Sequence, residues 1–251
     1  MSVIVVTPTY NEADNVTTFL RQVRAALPDA AVMVVDDSSP DGTAAVAAAI
    51  CAEIGNAEVV VRANKQGLGS AYRHAFTLAM AGEHDIVIHL DTDLSHDPAR
   101  LPAFVASIEA GADMVIGSRY VSGGATVDWP LHRRLLSKWG NAYTAGVLGL
   151  KAHDVTSGYR AYRVPAMRVI DPASTRAEGY AFLTELALRA SDRGLTIAEV
   201  PIVFADRTAG SSKMSLRIIA ESMLLVTWWG VARRLPFIGR LGRRVVAALG
   251  R

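Results

Sequence analysis

Apolar, mostly β-branched residues recur along this chain in runs of four or five, at residues 3–6, 32–35, 58–61, 86–90 and 114–117. Runs that short, without a regular polar face, predict strands buried on both sides. Between them, residues 13–26, 42–54 and 70–81 space their apolar positions three and four apart and begin near Asn, Asp, Ser or Gly, which predicts helices. Strand and helix in alternation predict an α/β fold, a Rossmann-like and mostly parallel sheet with helices on both faces. Beyond about residue 120 the alternation stops. A glycine-containing loop at Ser122-Gly-Gly and helices at 131–148 and 180–193 are expected there, forming the far wall of a cleft. No internal repeat or low-complexity linker divides the chain.

Polar clusters close the first four strands: Thr7-Pro-Thr-Tyr-Asn-Glu12, Asp36-Asp-Ser-Ser-Pro-Asp-Gly-Thr43, Asn64-Lys-Gln-Gly-Leu-Gly69 and Asp91-Thr-Asp-Leu-Ser-His96. In a parallel sheet all four fall at the carboxyl edge, where such folds bind ligands. Asp91 and Asp93, two apart at a strand end, point the same way and can share one divalent cation, Mg²⁺ or Mn²⁺. An Asp-x-Asp alone arises by chance in a chain this rich in aspartate, so its neighbours must carry the assignment. Asp36 and Asp37 read either as caps for the next helix or, for Asp37 in particular, as an acceptor for a nucleotide base. In the third cluster Lys65 is a candidate donor-site cation, and Gly67 and Gly69 would let backbone approach a nucleotide closely. Arg133 and Ser137, four apart, share a helix face that suits one phosphate. Arg134 and Lys138 read as solvated charges. His74, His89, His96, His132 and His153, five of the six histidines, lack metal-ligand grouping and read as structural or incidental.

At 251 residues and 51% apolar content the chain can bury one large core. Its net charge of +2 hides an asymmetry, because residues 214–251 carry seven Arg against one Glu. Cys51, the single cysteine, excludes an intrachain disulfide and reads as core packing. The N-terminus runs directly into a strand without a basic leader, so a cytoplasmic location is expected. The longest uncharged apolar stretch, residues 222–232, falls short of the roughly 20 residues a bilayer requires. No nucleic-acid partner is expected.

Eight segments stand in a recognisable order: Pro8-Thr-Tyr-Asn-Glu12, Val34-Val-Asp-Asp-Ser-Ser-Pro-Asp-Gly-Thr43, Gly67-Leu-Gly-Ser-Ala-Tyr72, Asp91-Thr-Asp-Leu-Ser-His96, Gly117-Ser-Arg-Tyr120, Thr156-Ser-Gly-Tyr-Arg-Ala-Tyr162, Glu199-Val-Pro-Ile-Val-Phe204 and Asp206-Arg-x-x-Gly-x-Ser-Lys-Met214. Together they resemble the dolichyl-phosphate mannose synthase branch of the family 2 glycosyltransferases, also called polyprenol monophosphomannose synthases, over residues 3–222. The resemblance implies a GT-A fold, GDP-mannose as donor and a polyprenyl monophosphate as acceptor. It places Pro8, Tyr10, Glu12 and Asp37 on the nucleoside, Asp91 and Asp93 on the metal and diphosphate, and Arg119, Arg133 and Ser137 on the acceptor phosphate. Arg207 and Lys213 would serve the donor phosphates or a covering loop. Ser95 stands where other members place a glutamine as a further metal ligand.

A phosphate monoester is largely dianionic near neutral pH, so such an acceptor could attack the anomeric carbon with inversion and needs no strong general base. The alternatives are transfer from another donor, such as UDP-glucose, and a catalytically silent membrane-surface subunit. A catalytic domain at 1–222 is expected to be followed by a basic amphipathic tail at 223–251. On a helical wheel Ile238, Leu241, Val245 and Leu249 oppose Arg240, Arg243, Arg244 and Arg251, with Trp228, Trp229 and Phe237 as interfacial aromatics. That pattern suits an anionic membrane surface, with or without a separate membrane-protein anchor. A core-packed helix with solvated arginines is its rival.

Overall fold

The computed structural model of the chain describes residues 1–205 and 216–234. Arg207, Lys213 and the tail beyond Arg234 lie outside them. Seven strands form one sheet: β1 (Val3–Thr9), β2 (Ala31–Asp36), β3 (Ala57–Val61), β4 (Ile86–His89), β5 (Met114–Ser118), β7 (Arg160–Arg163) and β8 (Ile197–Pro201). Their order is β3-β2-β1-β4-β7-β5-β8, with β7 antiparallel to both of its neighbours and the other adjacent pairs parallel. Two short strands, β6 (Ala125–Thr126) and β9 (Val203–Phe204), pair separately.

All five predicted strands and all five predicted helices form. The helices are α1 (Ala13–Ala26), α2 (Thr43–Ile54), α3 (Leu68–Ala81), α5 (Leu131–Leu148) and α7 (Gly179–Asp192), joined by α4 (Leu101–Glu109), α6 (Val164–Ile170) and α8 (Leu216–Arg234). Because side chains alternate across a strand, Ile4 and Val6 enter one core with Tyr72, Phe76 and Phe182, while Val5 enters the other with Phe19, Leu20 and Phe104. Cys51 is buried in the second of these, as expected.

The expected division between residues 222 and 223 falls inside α8, and the structure corrects it. Val226 is buried in the first core, Trp229 packs against that core, and a Cβ on Gly230 would lie 2.4 Å from Val147. Arg233 donates to the Leu148 carbonyl at 2.8 Å and pairs with Asp192. Residues 223–234 therefore pack on the globular body, and Trp229, expected at an interface, is partly buried against the first core. Among the described residues no helix is long and apolar enough to cross a membrane.

Candidate active site

The carboxyl ends of β1, β2 and β4 turn through residues with left-handed backbone, Asn11 (φ 58°), Ser38 (φ 54°) and Leu94 (φ 60°). Leucine has no side-chain hydrogen bond to ease that conformation, so the turn after Asp93 holds strain that its surroundings must offset. They do so locally. The Thr7 hydroxyl donates to the Leu90 carbonyl at 2.9 Å and lies 2.7 Å from Thr92 Oγ1, fastening β1 beneath the Asp91-Thr92-Asp93 turn. The Ser95 amide donates to Asp93 Oδ1 at 3.1 Å.

These ends surround a cavity of about 460 Å³ lined by Pro8, Tyr10, Glu12, Asp37, Lys65, Asp91 and Asp93, so the structure brings together seven of the expected donor-site residues. Glu178 at the start of α7 and Glu221, Ser222 and Leu225 of α8 close the other side. Lys65 stands 3.6 Å above the Tyr10 ring centroid, a cation–π contact that holds it over the cavity mouth. Asp36 and Asp37 differ in their surroundings, and Asp36 does not cap α2 as one reading expected. Asp36 is fully buried and accepts from Thr9 and from the Ser39 hydroxyl and amide, which makes it the turn former. Asp37 faces the cavity and is ion-paired at 2.6 Å to Arg62, whose other nitrogen donates to Gln66 and Ser70.

Asp91 is held from behind. The Tyr72 hydroxyl donates to its Oδ1 at 3.1 Å, and burial, then the Asp91 charge, push the Tyr72 phenol far above its ordinary range, so it stays a donor. On the other flank a Cβ on Gly158 would come within 3.3 Å of Asp91 Oδ2, which explains glycine there. Among the described residues no group of three or more His, Cys, Asp or Glu side chains is placed to ligate a metal. Two carboxylates on a cavity wall nevertheless suit a Mg²⁺-like ion, which takes one or two carboxylates and completes its shell with substrate phosphate and water. Ser95, in the position of an expected further ligand, is buried, and its Oγ has no hydrogen-bond partner among the described residues.

The three expected acceptor-phosphate residues form a second cluster. Arg119 gives a fork to Asp154, with Nε and Nη2 at 2.7 and 2.6 Å, and donates to Thr156. Asn141 donates to both Thr156 Oγ1 and the Ser137 carbonyl, and the Tyr120 hydroxyl donates to Ser137 Oγ at 2.7 Å. Arg133 lies 4.0 Å from the Trp129 ring centroid, and Arg119 faces the same ring at 5.7 Å. Much of the Arg119 guanidinium is thus spent on Asp154, which the sequence reading did not anticipate. Arg134 and Lys138 are exposed, as expected. Asp154 and Gly158 are four residues apart, so the two clusters are tied within about 14 Å of chain.

Tyr72, Arg62, Asp154 and Glu178 were missed as site residues. Tyr72 sits in one of the eight segments, and Arg62 follows a strand end directly; Asp154 carries no comparable signal. Three of the histidines have structural surroundings: His89 is buried among Tyr72, Phe76 and Tyr162, His96 packs on Tyr159 and Phe204, and His153 pairs with Glu199, while His74 and His132 are exposed.

Residues 4–170 match the family described as Glycosyl transferase family 2. The chain is 41% identical over 233 residues to the polyprenol monophosphomannose synthase of Mycolicibacterium smegmatis, covering 92% of this chain and 88% of that protein. It is 42% identical over 234 residues to the undecaprenyl-phosphate mannosyltransferase of Micrococcus luteus, covering 93% and 96%. Among solved structures, glucosyl-3-phosphoglycerate synthase from Mycobacterium tuberculosis, in complex with Mn²⁺, UDP and glucosyl-3-phosphoglycerate, superposes with a TM-score of 0.67 at 20% identity, over 92% of this chain and 79% of that one. The fold is of the GT-A type.

Proposed function

Because the chain belongs to glycosyl transferase family 2, we propose that it transfers mannose from GDP-mannose to a polyprenyl monophosphate, with inversion, at a membrane surface. The observation that carries this is the shared cavity: Asp91 and Asp93 at the β4 edge line the same space of about 460 Å³ as Asp37 and Lys65, and Arg119 and Arg133 gather at the Trp129 ring in the second cluster. The two relatives above, each spanning nearly the whole chain, are named for mannosyl transfer to polyprenyl or undecaprenyl phosphate.

In this reading Pro8, Tyr10, Glu12 and Asp37 receive the nucleoside, and Lys65, aided by Arg207 and Lys213, meets the donor phosphates. Asp91 and Asp93 would hold Mg²⁺ or Mn²⁺, which supplies charge neutralisation on the diphosphate. Arg133 and Ser137 receive the acceptor phosphate, and Arg119, fixed by Asp154, adds positive charge beside it. One phosphate oxygen attacks the anomeric carbon, and the bond from that carbon to the diphosphate oxygen breaks, its electron pair leaving with GDP. No proton moves, since the acceptor with second pKa of about 6 is already dianionic. Positioning and charge therefore account for the rate.

The test uses purified protein, radiolabelled GDP-mannose or UDP-glucose, a polyprenyl phosphate, and EDTA. Label is expected to pass to lipid from GDP-mannose and to stop with EDTA. Turnover from UDP-glucose alone would overturn the donor assignment, and silence with both would favour a non-catalytic subunit.

A further inference from the structure

Large apolar side chains crowd one outward face of α5. Leu131, Leu135 and Trp139 are 63%, 58% and 56% exposed, at successive four-residue steps, with Leu136 beside them. Tyr143 continues the row one step further and stacks on Trp139 at 5.5 Å. Its hydroxyl lies 2.8 Å from Thr227 Oγ1 of α8. On α8, Leu224, Thr227, Trp228 and Val231 share one face by helical spacing, and Leu224 is 72% exposed. The two helices thus present one continuous apolar surface, joined at Tyr143–Thr227.

The charge around this surface is predominantly positive, although Glu221 of α8 and Asp128 just before α5 are exposed. α5 carries Arg133, Arg134 and Lys138 and no acidic residue. The one acidic residue of α8, Glu221, lines the donor cavity. An exposed apolar face of this size, rimmed by cations, marks an interaction site, and a flat anionic bilayer matches both its chemistry and its shape. Arg133 and Ser137 stand on the opposite, half-buried face of the same helix, about one helix diameter from the apolar row. Seating that row among acyl chains would put them at the level of lipid phosphates.

We infer that the α5–α8 face docks on anionic lipid bilayer, so that the acceptor phosphate enters the site laterally from the headgroup layer. This deepens the mannosyl-transfer reading and rests on it for the identity of the acceptor. It shares Trp228 with the expected membrane-surface tail at 223–251 and differs from that expectation in placing α5 on the bilayer as well.

The test compares the full chain with its Leu135→Ser/Trp139→Ser variant by sedimentation with vesicles of phosphatidylcholine, with and without phosphatidylglycerol. Both substitutions are at exposed positions, and circular dichroism checks the fold. Wild type should sediment with the anionic vesicles and the variant should bind about tenfold or more weakly. Transfer to a short, water-soluble prenyl phosphate should be unchanged. Equal binding of the two proteins would move attachment elsewhere, to residues 235–251 among other candidates, and overturn the inference. So would a wild type that ignores vesicles, or light scattering showing this face buried in a dimer that the substitutions break. Failure of both proteins to use the soluble acceptor would instead refute the mannosyl reading, because sedimentation needs no turnover.

Discussion

Replacing Tyr72 by Phe isolates one hydrogen bond. The ring is fully buried, stacked near Phe76 at 5.6 Å and Phe182 at 6.0 Å, with His89 edge-on at 4.6 Å. Phenylalanine preserves each of those contacts and removes the hydroxyl that donates to Asp91 Oδ1. A hydrogen bond to a charged group contributes about 1.5–3 kcal/mol. If that energy holds the carboxylate in its metal-binding rotamer, its loss costs roughly 10- to 150-fold at 1.4 kcal/mol per decade. Stability should change by no more than about 1 kcal/mol, because the lost bond is offset by no longer burying a hydroxyl. Mn²⁺ affinity from paramagnetic resonance titration, kcat/KM for mannosyl transfer and urea denaturation measure the three quantities. Metal affinity and kcat/KM both within about twofold of wild type, in a folded variant, would refute the positioning role.

Asp91→Asn should reduce transfer at least ~100-fold while leaving the urea midpoint nearly unchanged, since it alters an edge carboxylate and no core contact; wild-type turnover would exclude the metal role. Arg62→Ala strands the Asp37 carboxylate, whose side chain is only 6% exposed, so a loss of about 3 kcal/mol is expected, and adding Asp37→Asn should cost less than the sum of the single changes. Additive losses in a double-mutant cycle would mean that the pair is not coupled. Burial, followed by the charge of Arg160 and then His96, holds the His89 imidazole well below its ordinary range. The folded protein therefore refuses a proton that the unfolded chain accepts below about pH 6.5, and stability should fall as pH drops, by up to ~1.4 kcal/mol per unit. His89→Phe should flatten that slope between pH 6.5 and 5, and identical slopes in the two proteins would rule the mechanism out.

The sheet was legible where burial was two-sided. Runs such as Val32-Met-Val-Val35 have no polar face to confuse, and their strands form as read. β7 was invisible because Arg160-Ala-Tyr-Arg163 reads as a polar segment, yet Arg160 and Tyr162 are both buried between β4 and β5. A charged residue inside a central strand is tolerated only when its hydrogen bonds are met. Residues that line the cavity were legible from clustering at strand ends. Those that hold them from behind, such as Tyr72 on Asp91 and Asp154 on Arg119, were not, because their pairing depends on long-range packing. The α8 boundary failed for a related reason: Val226 and Trp229 look like half of an amphipathic tail until α5 and α7 are in place.

Arg160 explains how the two halves of the site keep their relation. Its guanidinium is fully buried and donates to the carbonyls of Val155, Ser157 and Leu183 at 2.6–2.8 Å, so three main-chain acceptors offset the cost of burying its charge. Two of those carbonyls belong to the loop that runs from Asp154, on Arg119, to Gly158, against Asp91. The third belongs to α7, whose first residues wall the donor cavity. One cation in the sheet thus clamps the connection between Asp91 and Arg119. A reaction that transfers no proton depends on the distance between attacking phosphate and anomeric carbon. In the proposed reaction that distance would be held by a short loop anchored beneath the site through the Arg160 guanidinium.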